Sequence, residues 1–266
     1  MSDTCWIDLA GAVNVRDLAG LPAAGGREVQ PGRLIRSDSL QTLTDADVRH
    51  LVDDLGVRSV ADLRTGVEVR GEGPGPMTRE PLVQIRHLSL FPEPDEVDVA
   101  ESADGPVVLP WQARTDSMSE KERARGASGV YLRYLDDRAD SVIAALRLIA
   151  ETDGATIVHC AAGKDRTGVI VAFALAEVGV TRQAIAEDYA RSAERIGAII
   201  AGLSARNTYR NDITASADVD KHTPRAATME RLLDAMDELY GGVPAWLRAN
   251  GWTEDDATRL REHLLG

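Results

Sequence analysis

Cysteine is almost absent: Cys5 and Cys160 are the only two in 266 residues. That number excludes a disulfide framework and points to a reducing compartment. The five histidines (His50, His87, His159, His222 and His263) are dispersed, and no Cys/His cluster has metal-site spacing. No metal and no cofactor is therefore expected. Positive charge is in deficit: 30 Lys and Arg against 43 Asp and Glu leave a net charge of -13. Such a surface repels nucleic acid and anionic membrane, so neither is expected as a partner. No apolar run reaches the length of a membrane span, and the most helix-like one is interrupted by Glu177 and Gly179. The first residues carry Asp3 and Asp8 in place of a cationic and apolar leader. A cytoplasmic protein is expected, with export lacking a cleaved signal left open. Internal repeats, long low-complexity tracts and a GxxxxGK[ST] nucleotide loop are also missing.

What is present is an ample apolar fraction, 44%, in a chain sized for one large domain or two small ones. Leu34-Ile35-Arg36 reads as a short strand. Thr44 is placed to cap a helix that Gly56 stops. Val57 to Leu63 reads as a buried strand, residues 71 to 76 as a loop, and Ile85 to Leu90 as another strand. Gly129 to Ile149 carries an apolar stripe at helical spacing, and Thr181 to Ser192 reads as a further helix. Thr223-Pro224 looks like the start of a helix that Gly241 ends, and Thr253 like the cap of the last one. Alternating strands and helices predict an α/β fold with a central, largely parallel sheet flanked by helices. Residues 92 to 128 break the alternation. They begin with Glu93, Asp95 and further acids, then pass through an apolar patch around Trp111. The stretch is either a solvated loop or a lid.

The segment His159-Cys160-Ala161-Ala162-Gly163-Lys164-Asp165-Arg166-Thr167-Gly168 carries the chemistry. An apolar strand, Ala155 to Val158, runs into it and a helix-like run, Val169 to Val178, leaves it. A tight loop at a helix N-terminus cradles anions with backbone N–H groups and the helix dipole. The same field favours a thiolate at Cys160, and Arg166, six residues on, can grip two phosphate oxygens at once. Cys5 has no such context.

These residues resemble the phosphate loop of protein tyrosine phosphatases. The Gly163-Lys164-Asp165-Arg166 wording is similar to a narrower bacterial and fungal branch of atypical, dual-specificity and lipid-active members. Asn14 to Gly20, Pro31 to Ser37, Ala61 to Thr65 with Glu68, and Tyr240-Gly241-Gly242 resemble other segments of that branch, so the likeness spans nearly the whole chain. It implies a tyrosine-phosphatase-like fold in a single phosphatase domain over 1–266, with 92–128 as a helical lid insertion. The implied substrates are phosphotyrosine in protein, with phosphoserine, phosphothreonine and phosphoinositides as an extension.

Residue by residue, Cys160 is the expected nucleophile of a cysteinyl-phosphate mechanism. Arg166 and the loop amides from Ala161, Ala162, Gly163, Lys164, Thr167 and Gly168 are expected to hold the phosphate oxygens. Thr167 is a candidate donor to the Cys160 sulfur. His159 either orients the loop or is a buried structural histidine. Lys164 adds rim charge suited to a second phosphate. Asp165 is either the proton donor or a partner of Lys164 or Arg16. Related enzymes draw the acid from a mobile loop. Here that stretch offers Glu93 and Asp95, so three carboxylates compete, with Asp165 ranked first because the loop fixes its place. Arg16, Asp17, Asp62 and Arg64 are expected in supporting, paired roles. Two other functions stay open: a phosphatase of a small metabolite, and a silent phosphate-binding module. The expected partners are a phosphorylated protein, a phosphoinositide or a small phosphate ester, with inorganic phosphate in the loop.

Overall fold

Strand Ala155–His159 is buried along its whole length, so it reads as a continuous run rather than an alternation, as strands covered on both faces do. In the computed structural model, which describes residues 5–93, 118–209 and 219–266, it sits inside a six-stranded sheet. The strands are β1 (Cys5–Trp6), β2 (Arg16–Asp17), β3 (Pro22–Ala23), β4 (Arg27–Glu28), β5 (Leu34–Ser37), β6 (Val57–Asp62), β7 (Gln84–His87) and β8 (Ala155–His159). The sheet order is β1-β2-β5-β8-β6-β7, with β3 and β4 forming a separate hairpin. The β5, β8, β6 and β7 strands are mutually parallel, while β1 and β2 add an antiparallel edge. The register aligns Ser37, Asp62 and His159 at one level, at the carboxyl ends of the parallel strands. Cys160 is the next residue. Ligands of open α/β sheets bind at that end.

The helices are α1 (Asp45–Arg49), α2 (Gly66–Glu72), α3 (Glu120–Ala124), α4 (Ala127–Asp137), α5 (Ala139–Glu151) and α6 (Asp165–Glu177). After them come α7 (Arg182–Arg191), α8 (Ile196–Ser204), α9 (Val219–His222), α10 (Ala226–Tyr240), α11 (Val243–Ala249) and α12 (Glu254–Leu265). Local signals account for several of the boundaries. Thr44 with Asp47, Thr65 with Glu68, and Thr253 with Asp256 form reciprocal capping boxes. Gly241, at φ 76°, ends α10 in the left-handed region.

Three expectations need correction. The stripe read as one helix from Gly129 to Ile149 is two helices, because Arg138 leaves the helical region at φ -139° and turns its guanidinium onto Asp140 and the Phe91 carbonyl. The break lets α4 pack on α10 and α5 on α12. The helix expected from Thr223-Pro224 starts later, at Ala226, since the Thr223 hydroxyl donates to Val219 O and closes α9 instead. The helix after Thr44 passes into a π turn over His50–Asp54 before Gly56 reverses the chain. Trp111 and most of the expected lid insertion lie outside the described residues.

Two apolar layers cover the sheet. One joins Leu146, Ile149, Val158, Ile170, Phe173 and Leu232 with the other helices of that face, and the second joins Val15, Ile35, Leu51, Val60 and Ile157. A third, smaller cluster (Ala161, Ile196, Ile199, Ile200, Leu203 and Tyr209) packs against the loop between β8 and α6. Among the described residues no helix is long and apolar enough to cross a membrane.

Candidate active site

The loop between β8 and α6 is held by its carbonyl oxygens. Ser39 N–H donates to Ala161 O at 3.2 Å. The Asn14 side-chain amide donates to Ala162 O at 2.9 Å and Gly163 O at 3.2 Å. Arg36 donates to Gly163 O at 2.8 Å and to Lys164 O at 3.4 Å. A trans peptide sets C=O and the following N–H on opposite sides. Carbonyls drawn outward therefore turn the amides of Ala162, Gly163 and Lys164 the other way. Gly163 adopts φ 66°, and a Cβ there would lie 2.5 Å from the Ser37 carbonyl, so only glycine fits.

The two arginines behind the loop share one acid. Arg16 meets Asp188 Oδ1 at 2.8 Å and Arg36 meets Oδ2 at 2.5 Å, all three being buried. Burial, followed by the neighbouring charge of Arg36, lowers Arg16 to about 10. For Asp188 burial acts upward, but the two guanidinium charges outweigh it and hold the carboxyl below the usual range. Arg16 also donates to Asn14 Oδ1 at 2.9 Å. It thus orients the amide that grips the loop, and among the cavity's lining residues it has no place.

The loop floors a cavity of about 330 Å³. Cys160, Ala161, Ala162, Lys164, Asp165 and Arg166 line it on one side. Phe91 and Tyr134 line a second side, and Ile196, Ile199, Ile200 and Leu203 of α8 form an aliphatic wall. Sequence reading had no element here; α8 is apolar almost throughout, and its pattern resembles any core helix.

Arg166 is fixed by Glu68, which takes Nη1 at 2.6 Å and Nη2 at 2.8 Å, while Leu63 O takes Nη1 at 3.2 Å. Burial would disfavour the guanidinium charge, but the Glu68 carboxylate outweighs it and raises Arg166 well above its ordinary value. Glu68 itself, pushed up by burial and down by Arg166, ends below the usual carboxylate range. Tyr209 donates to Glu68 Oε1 at 2.8 Å. Glu68 was legible only as part of a resembling segment; its pairing with Arg166 joins positions 98 residues apart.

Asp165 opens α6 and reaches the cavity with its side chain about one-third exposed. Its Oδ1 accepts from the Tyr131 hydroxyl and lies 3.4 Å from the Tyr189 hydroxyl. Its Oδ2 lies 3.4 Å from Lys164 Nζ, which also donates to His222 O at 2.7 Å. Of the competing carboxylates, Glu93 instead accepts the Gly66 N–H at 2.9 Å and stands outside the cavity lining, and Asp95 is outside the described residues.

The other expectations fall as follows. The Thr167 hydroxyl is buried without a hydrogen-bond partner among the described residues, and it does not donate to the Cys160 sulfur. Gly168 makes room for a tyrosine ring: a Cβ there would lie 2.8 Å from Tyr189 Cδ2. His159 stands 3.6 Å from Asp62 Oδ1, and burial lowers it to about 4. At neutral pH it is uncharged. Asp62, which burial alone would raise, is held well below the usual range first by the His159 ring, charged at the acid pH where Asp62 titrates, and then by the Arg64 guanidinium, bonded to it at 2.6 and 2.9 Å. Arg64 also meets Glu72, and neither Asp62, Arg64 nor His159 lines the cavity.

A cysteine thiol, a fixed guanidinium and a carboxyl meet on one cavity, the groups that cysteine-dependent phosphate ester hydrolysis requires. Comparison with known proteins agrees. Residues 7–266 match the tyrosine phosphatase family, and the chain belongs to it. It is 31% identical to the triple specificity protein phosphatase PtpB of Mycobacterium tuberculosis, covering 97% of this chain and 99% of that protein. It is 27% identical to a tyrosine-protein phosphatase of Nostoc commune, covering 91% and 78%.

Proposed function

We propose that the whole chain is one phosphatase domain that hydrolyses phosphate monoesters, phosphotyrosine in proteins foremost, through a cysteinyl-phosphate intermediate. Cys160 Sγ attacks phosphorus, Arg166 and the loop amides carry the equatorial oxygens, and Asp165 gives its proton to the leaving oxygen. The Asp165 carboxylate then takes a proton from the water that attacks the phosphocysteine, releasing inorganic phosphate and the thiolate. The observation that carries this reading is the meeting of Cys160, Arg166 and Asp165 on a single cavity. The aliphatic wall of α8 suits an aromatic or lipid-linked ester better than a small polar metabolite. Lys164 at the rim favours phosphoinositides as additional substrates, in keeping with a relative named for triple specificity. The cytoplasm, where free thiols persist, is the compartment that fits.

The test is hydrolysis of p-nitrophenyl phosphate without metal by wild type, Cys160→Ser and Asp165→Asn, then of phosphopeptides, phosphoinositides and nucleotides. Cys160→Ser is expected to be inactive on all of them, and Asp165→Asn to lose about 100-fold or more on phosphopeptides, whose tyrosine leaves poorly without a proton. Phosphate binding without turnover by the wild type would leave a binding module. Preferred turnover of nucleotides would make it a metabolite phosphatase.

A further inference from the structure

Two buried tyrosines from different helices converge on one oxygen of Asp165. Tyr131 comes from α4 and Tyr189 from α7, and both are at most 3% exposed. Their hydroxyl oxygens are 2.7 Å apart. A phenol has one proton to donate. Tyr131 spends its proton on Asp165 Oδ1, so Tyr189 is the donor between the two rings. The result is a directed chain, Tyr189 to Tyr131 to Asp165, in which each bond polarises the next. Burial and then the Asp165 carboxylate push Tyr131 well above its ordinary value, so it stays a donor wherever the enzyme works. The chain is anchored to the phosphate loop. Tyr189 follows Asp188, the shared partner of Arg16 and Arg36, and its ring fills the space that Gly168 leaves.

We propose that Tyr131 and Tyr189 are positioning residues for the general acid, holding Asp165 Oδ1 so that Oδ2 carries the transferable proton. This rests on the assignment of Asp165 as that acid. With Oδ1 occupied as an acceptor, the proton sits on Oδ2, the oxygen on the Lys164 side. In the first step the S–P bond forms, the P–O bond to the leaving group breaks, and the Oδ2 proton moves to the departing oxygen. In the second, water supplies the P–O bond, its proton returns to Oδ2, and the S–P electrons return to Cys160.

Leaving-group dependence separates this role from a structural one. Phenoxide leaves poorly without a proton, whereas p-nitrophenoxide leaves readily, so a misplaced acid penalises phenyl phosphate selectively. Tyr131→Phe and Tyr189→Phe are measured for kcat/KM on both esters, with vanadate inhibition and urea unfolding as controls and Asp165→Asn as the reference. The expected result is a loss of about ten-fold or more on phenyl phosphate and less than about three-fold on p-nitrophenyl phosphate for Tyr131→Phe. Tyr189→Phe should show a smaller loss in the same direction, with vanadate inhibition unchanged. Selectivity in Asp165→Asn, together with equal losses on both esters or none in both tyrosine variants, overturns the positioning role alone. Equal losses on both esters in Asp165→Asn overturn the acid assignment and this role with it. Should Tyr131→Phe fail to fold, Tyr189→Phe decides the question by the same ratio.

Discussion

At the scale of single residues, the site is a set of charges, each made affordable by a partner. Arg166 is buried and stays charged because Glu68 meets it with both oxygens. Removing one partner of such a pair strands the other. Glu68→Ala is therefore expected to cost about 3 kcal/mol or more in unfolding free energy and to weaken vanadate inhibition, read by urea titration and inhibition kinetics. The sequence was informative here to an uneven degree. Cys160 and Arg166 were legible because their spacing and their strand–loop–helix setting are local. Asp165 was legible by the same route, although the two phenols that hold it were not: Tyr131 and Tyr189 come from residues 34 and 24 positions away. Glu93 ranked behind Asp165 as a candidate acid, and its bond to the Gly66 amide and its place outside the cavity lining set it apart.

At the scale of elements, turn and cap chemistry dictated the ends while packing dictated the breaks. Thr253 and Asp256 cap α12 through bonds confined to four residues. Thr253→Ala should cost about 1 kcal/mol in stability with kcat unchanged, as thermal unfolding alongside p-nitrophenyl phosphate turnover would reveal. The turn at Gly163 behaves differently. Gly163→Ala brings both a positive φ and a clash with Ser37, so a folded variant should lose phosphate affinity and turnover together. The α4–α5 break at Arg138 was hidden because apolar spacing continues across it, and a period carries no information about which partner each turn meets. Under the proposed function the α8 wall meets the leaving group of the ester. Ile199→Ala and Ile200→Ala are expected to raise KM for aryl and lipid esters with little change in kcat, since the wall holds the leaving group and not the phosphate.

At the scale of the whole molecule, buried titratable groups tie stability to pH. His159 is lowered to about 4 by burial, whereas in an unfolded chain histidine titrates near 6.5. Between those values the unfolded state binds the proton more readily, so acidification across that window lowers unfolding free energy. The contribution is fully present above about pH 6.5, declines on the way to 4, and is on the order of 3 kcal/mol in total. The lowered carboxyls of Glu68, Asp188 and Asp62 add their losses at lower pH still. Urea unfolding of wild type and His159→Gln across the window should give curves that converge as the pH falls.

The sequence by itself determined the chemistry of the loop and the layered α/β plan. Cys160, Arg166 and the amides between them lie within one short loop of the sequence, and strand–helix alternation is a local period. Only the tertiary structure decided what holds the loop in shape. Asn14 and Arg36 draw its carbonyls outward from places 127 to 149 residues away, and Asp188 fixes Arg36 in turn. It also placed Asp165 on the cavity and Glu93 away from it, and set an aliphatic helix over the thiol. The physical reason is common to all three: a buried charge or carbonyl needs a partner, and which partner reaches it depends on strand register and helix packing rather than on neighbours in the chain.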